Sequence, residues 1–206
     1  MTGLLMPALR HVHENAHRII CMSHLNQMGQ AFVMYTMENK EWLPYSAVLH
    51  TGDYPSNLMI ARRGGTNGNW DGLGLLYSQG FCPSPECFYC PSHHGNHDYE
   101  QYADRWQKPV PGQSIFANYH YAGDIEWANK GKRRTLDDGP NFALASDGLR
   151  TVGDFNHFDG MNILRGDGSV YWRDDAQDII KTLPLNDTNP PAEEYTLLWE
   201  QLLDHH

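Results

Sequence analysis

The chain has 206 residues, 40% of them hydrophobic and 19% charged, with six Trp and eleven Tyr. That is enough for one globular domain with a real core, and it is not a disordered composition. The formal net charge of −10 repels phosphate backbones, so no nucleic-acid partner is expected.

The chain opens on "MTGLLMPAL", an apolar stretch with no Lys/Arg region before it and no small-residue cleavage site after it. It looks like the last turns of a longer hydrophobic segment. No run approaches the roughly 18 consecutive apolar residues of a membrane span. From Leu4 onward Leu5, Leu9, Val12, Ala16, Ile19, Leu25, Met28, Phe32 and Tyr35 recur at steps mostly of three or four. This predicts one helix with one apolar stripe, ending near Asn39 before Pro44. Arg10, His13, Glu14, His17, Arg18, Asn26 and Gln30 fall on its opposite face. Such a long helix needs a partner along its length, either core or neighbouring helices.

Residues 53–69 are rich in Gly, Asn and Arg and are expected to form a loop. A short helix is predicted from Gly72 to Gln79, with Gly80 as its stop. A polar His/Asp/Tyr segment then runs to Pro111, and "SIFANYHYAGD" (Ser114 to Asp124) suits a strand. The basic cluster from Lys130 to Arg134 reads as a solvated loop. "FALASDG" (Phe142 to Gly148) is a short apolar strand. "MNILRGDGSVYW" (Met161 to Trp172) is a hairpin around Asp167-Gly168, with both turn residues expected at positive φ. Met161, Ile163, Val170 and Trp172 alternate with polar neighbours, so one face should pack inward. A short C-terminal helix is predicted after Asn189 and Pro190, on Tyr195, Leu198, Trp199 and Leu202.

Three clusters carry possible chemistry. "GFCPSPECFYCPSHHG" (Gly80 to Gly95) holds three of the four cysteines. Cys82, Cys87, Cys90 and His93 offer a Cys3His zinc set, although the spacing is not a common paired one; disulfides and free thiols are the other readings. "HHGNHD" (His93 to Asp98) lacks the spacing of known metallo-hydrolase motifs and is expected to be a polar surface loop. Asp147, His157, Asp159 and Asp167 lie in Gly-rich segments suited to a calcium-type site. The plainer alternative is that the two Asp-Gly pairs make turns and His157 packs the lead-in to the hairpin. No Gly-x-Ser-x-Gly elbow, P-loop or dinucleotide fingerprint is present, and no enzyme activity is expected.

"LLMPALRHVHENAHRIICMSHLNQMGQAFVMYTMENKEWLP", "WDGLGLLYSQGF…FYCPS", "FANYHYAG" and "HFDGMNILRGDGSVYW" resemble, in this order, segments of a prepilin-type family. The family is large in planctomycetes, verrucomicrobia and lentisphaerae, and is related to the major pseudopilin of type II secretion. The similarity spans Leu4 to Asp175 and lacks the family's cleavage and methylation motif. It implies an α+β fold: a long N-terminal helix (1–40) on a small antiparallel sheet with long loops (41–175), then a C-terminal extension with a short helix (176–206). The implied role is structural. A filament or pseudopilus subunit would be exported, held by the inner membrane before assembly, and packed against like subunits or other pseudopilins. In the family the recurring cysteines match Cys21 and Cys90. The expected pairs are therefore Cys21–Cys90 and Cys82–Cys87, outside the cytoplasm, which an even cysteine count favours. No cofactor is required; Ca2+ is an option and Zn2+ a lesser one. The alternatives are a pilin-fold module that binds a polysaccharide or protein through Trp106 and Trp127, or a metal-dependent hydrolase using His157.

Overall fold

Cys21, Leu25, Met28, Phe32 and Tyr35 recur at steps of four and three on a 34-residue helix, α1 (Leu5–Glu38), and all five are buried. This periodicity keeps one side of the helix against the rest of the chain. Extended backwards at the same steps, the line passes through Arg18 and Glu14. The apolar residues of the first half lie on another line. Leu9, Val12 and Ile19 are 65%, 66% and 67% exposed. The single stripe expected from Leu5 to Tyr35 is thus two stripes: the step of six from Ile19 to Leu25 crosses from the outer side of the helix to the inner one. Beyond Glu38, Lys40 and Glu41 take φ of 58° and 67°, which ends the helix before Pro44.

The computed structural model describes residues 5–51, 55–65, 68–125, 132–138, 142–157 and 159–174. Trp127, Lys130, Gly131 and the predicted C-terminal helix lie outside them. After α1 come α2 (Ala47–Thr51), β1 (Ile60–Arg62), α3 (Leu73–Ser78), α4 (Tyr99–Gln107), β2 (Ile115–Phe116), β3 (Tyr119–Tyr121), β4 (Ala143–Asp147), β5 (Met161–Arg165) and β6 (Val170–Arg173). The coarse α+β expectation therefore holds. β3, β4, β5 and β6 form one antiparallel sheet in that order, and β1 pairs with β2 in a second.

Three local expectations change. The segment expected to be a loop over 53–69 contains a 3-10 turn (Pro55–Met59) and β1. The polar segment before Pro111 contains α4, whose Tyr102 and Trp106 are buried on one side. "SIFANYHY" is two strands in different sheets, interrupted at Ala117 and Asn118.

β5 is buried from Met161 through Leu164, so it does not alternate as expected. Its Leu164 reaches Gly29 of α1, while Met161 and Ile163 pack with Val48, Leu58 and Phe155 on the other face. A strand covered on both faces is buried along its length rather than alternately, and its one polar residue there, Asn162, is bonded to Asp147. Between β5 and β6, Gly168 N–H bonds Arg165 C=O at 2.9 Å and Arg165 N–H bonds Ser169 C=O at 2.9 Å. Gly168 takes φ 82° and Asp167 stays at negative φ. This is a three-residue loop with glycine in the left-handed position, not the two-residue turn expected.

Of the basic segment, Lys132 is exposed as expected, whereas Arg133 and Arg134 are anchored. Arg133 lies 3.5 Å from Asp124 and stacks over Trp42, and Arg134 is buried over Phe142.

Candidate functional site: a buried Cys–His–carboxylate cluster

Where α1 crosses the end of the sheet, Cys21 meets Cys90 of the loop after the 3-10 turn Pro85–Phe88. The two form a disulfide, with Cα atoms 5.5 Å apart. Cys82 and Cys87 form the second. Both expected pairs are therefore present, and they fit an oxidising, extracytoplasmic environment. The Cys82/Cys87/Cys90/His93 zinc set is not assembled. Its three cysteines are committed to two different bonds, and His93 turns inward to Asn156, Nδ1 to Oδ1 at 2.9 Å.

Two residues of the calcium-type set do sit beside the first disulfide. His157 Nε2 is 3.6 Å from Cys90 Sγ and 3.6 Å from Asp147 Oδ2. Asp147 ends β4 and His157 lies in the lead-in to β5, which places both at the same end of the sheet. One ligand atom from each of Cys21, Cys90, Asp147 and His157 lies within 4.8 Å of the others, and all four residues are buried. Asp159 and Asp167 do not join them. Asp159 pairs with Arg18 at 2.8 Å, and Asp167 accepts from Ser169 N–H and Oγ at the far hairpin turn. The four-residue calcium set is corrected on that ground: the Asp167 carboxylate is used by its own turn, and that of Asp159 by the ion pair with Arg18.

Glu14, like Arg18, is a residue that sequence reasoning put on the wrong side of the helix. His157 Nδ1 lies 2.6 Å from Glu14 Oε1, and Ser92 Oγ donates to Glu14 Oε2 at 2.8 Å. An ionised carboxylate only accepts, so Nδ1 carries the proton. The other ring nitrogen, Nε2, then faces Cys90 and Asp147. Burial raises the Glu14 carboxyl, but the hydrogen bonds from His157 and Ser92 outweigh it and hold it below the ordinary value. Asp147 moves the other way. Full burial pushes its carboxyl up, and the neighbouring His157 only partly offsets this. Asp147 Oδ2 accepts from Asn162 N–H at 2.6 Å and Nδ2 at 3.2 Å, while Oδ1 is buried without a hydrogen-bond partner.

A cavity of about 350 Å3 opens beside Cys90, lined also by His24, Tyr89 and the acidic side chains Glu86, Asp98 and Glu100. The neighbouring "HHGNHD" segment is not a surface loop throughout. His97 is buried, stacked on Phe116, and its Nε2 accepts from Arg150 Nη1 at 2.8 Å.

Trp106 is not a surface contact either. It is 1% exposed, stacks on Phe88 at 5.1 Å and donates from Nε1 to Tyr89 Oη at 3.0 Å. An indole with its N–H satisfied inside an aromatic cluster is core.

No family profile, curated protein or solved structure matches the chain. Among the described residues, no helix is long and apolar enough to cross a membrane.

Proposed function

We propose that the chain is a structural subunit of a filament or pseudopilus of the type IV pilin and type II secretion kind. In this reading it has no catalytic task, and the inner membrane holds it before assembly. The observation that carries the proposal is the outer stripe of α1. Leu9, Val12 and Ile19 toward one end and Val33 and Met37 toward the other share one helix face with exposures from 45% to 80%, and exposed Ser23, Asn26 and Gln30 separate the two apolar groups. That stripe faces away from the sheet that buries Leu25 and Phe32. Exposed apolar patches at both ends of one helix face suit packing against the same helix of another copy. The paired cysteines fit the extracytoplasmic setting such a filament needs.

The test is in-cell photocrosslinking from position 12 or 19 of the whole protein. Ladders of covalently joined copies are expected. They should vanish with Ile19→Asp, while the thermal melt of the purified variant stays that of the parent. Monomer alone at every crosslinking position rules the reading out.

A second reading, a pilin-fold binding module, draws on a cavity of about 520 Å3 lined by Tyr35, Tyr45, Arg63, Trp70 and Asp71. Aromatic faces beside a carboxylate suit a sugar polymer. Retention on a polysaccharide column that is lost with Trp70→Ala or Tyr45→Ala would move this reading ahead.

A further inference from the structure

The geometry points to a latent zinc site made by Cys21, Cys90, His157 and Asp147, opened when the Cys21–Cys90 disulfide is reduced. This goes beyond the filament role and does not depend on it.

The ring of His157 is already set as a metal ligand. Glu14 accepts from Nδ1, leaving Nε2 directed at Cys90 Sγ and Asp147 Oδ2. A carboxylate behind the imidazole is the arrangement that orients histidine ligands on zinc. The spacing also fits. Zinc sits about 2.3 Å from sulfur and about 2.0 Å from nitrogen or oxygen, so the edges of the tetrahedron are about 3.3 Å between nitrogen and oxygen, about 3.5 Å from sulfur to either, and about 3.8 Å between the two sulfurs. The 3.6 Å separations on either side of Nε2 are close to these tetrahedral edges. Asp147 adds an independent sign. Its other oxygen, Oδ1, is fully buried with no hydrogen-bond partner, which is costly, and a cation held at this carboxylate would offset that cost. The ligand set, two thiolates with one imidazole and one carboxylate, suits zinc rather than calcium.

The two states exclude each other, because bonded sulfurs carry no thiolate. Opening the bond takes two electrons and two protons from a dithiol reductant, which becomes a disulfide itself. Zinc then displaces both thiol protons to solvent. Cys90 lines the 350 Å3 cavity, whose mouth carries Glu86, Asp98 and Glu100. That negative rim favours the approach of a divalent cation.

The experiment uses the full chain with Cys82→Ser and Cys87→Ser, so that only Cys21 and Cys90 can be reduced. After phosphine reduction and anaerobic desalting, it is titrated with Co2+. One cobalt per chain is expected, with thiolate charge-transfer bands and tetrahedral d–d bands, displaced by one zinc. The oxidised protein should show neither set of bands. His157→Ala should abolish the tetrahedral spectrum. Glu14→Gln keeps all four ligands and should weaken binding about 10- to 100-fold. The assignment fails if the reduced chain gives no such bands, or if His157→Ala leaves them unchanged. It fails equally if the reduced chain unfolds and one equivalent of zinc does not restore its circular dichroism.

Discussion

His157 Nδ1 lies 2.6 Å from Glu14 Oε1, joining residues 143 positions apart in the chain. Together with the Arg18–Asp159 pair and the Cys21–Cys90 bond, it fastens the first half of α1 to the head by ionic and covalent contacts. The second half is held by apolar burial of Leu25, Met28 and Phe32. The two halves of one helix therefore respond to different conditions. The contacts of the first half are the ones that acid and reductant can break.

Glu14 contributes to the acid response. Its carboxyl is held below 4.5 by the bonds from His157 and Ser92 in spite of burial. A lowered folded value means stabilisation that is complete above the unfolded value and is lost as pH falls through the folded one. Glu14→Gln should cost about 1–3 kcal/mol at pH 7 in urea unfolding, the usual scale for a hydrogen bond to a charged group. It should also flatten the loss of stability below about pH 4.5 that this group gives the parent. Equal slopes in both proteins would show that Glu14 is not linked to folding.

Asp71 should act with the opposite sign. Burial pushes its carboxyl from 3.8 up to about 6; Oδ1 accepts from Ala47 N–H at 2.8 Å and Oδ2 has no partner. A raised acid costs stability as pH climbs from about 4 to about 6, and the full cost remains above that. A shift of this size corresponds to a few kcal/mol. Asp71→Asn keeps an acceptor for Ala47 and removes the charge. It should raise the melting temperature at pH 8 and leave it nearly unchanged at pH 4. A lower melting temperature at both values would contradict this account.

Local pattern made some elements legible. Gly80 at φ 83° ends α3 as expected, and the β5–β6 hairpin lies where Asp-Gly separates two β-rich runs. The sequence pattern failed where burial is decided at a distance. Glu14 looks like a solvent-facing charge until a residue from the lead-in to β5 meets it. His93 and His97 look like surface histidines until Asn156, Arg150 and Phe116 close around them. α4 was hidden because Tyr102 and Trp106 are too few to make an apolar period in a polar stretch. For the site, the cysteines and His157 stood out by residue type. Their convergence did not, since it depends on how α1 lies across the sheet.

The two disulfides should differ in weight. Cys21–Cys90 closes a separation of 69 residues and Cys82–Cys87 one of 5. In the chain-entropy model these correspond to about 4 and about 2 kcal/mol. Native mass spectrometry should give a mass about 4 Da below that of the fully reduced chain. Cys21→Ser/Cys90→Ser should lower the urea midpoint more than Cys82→Ser/Cys87→Ser does. The reverse order would mean that the short loop, not the helix tether, limits stability.

Two glycines offer a sharper contrast, because the same substitution meets different surroundings. A Cβ at Gly74 would lie 1.8 Å from the carbonyl oxygen of Ala61 in β1. That oxygen also accepts from Asp71 N–H at 2.9 Å, so α3 cannot move off β1 without breaking the bond. Gly74→Ala should therefore cost about 3 kcal/mol, the upper range for overpacking against something that cannot yield. A Cβ at Gly29 meets Leu164 Cδ1 at 3.0 Å, the end of a flexible side chain. There the strain is opposed by the gain of about 1 kcal/mol from replacing glycine with alanine inside a helix. Gly29→Ala should be close to neutral, and Gly29→Leu should separate α1 from β5 and destabilise strongly. The check is thermal unfolding of the three variants beside the parent. A neutral Gly74→Ala would show that α3 is not seated on β1 as described.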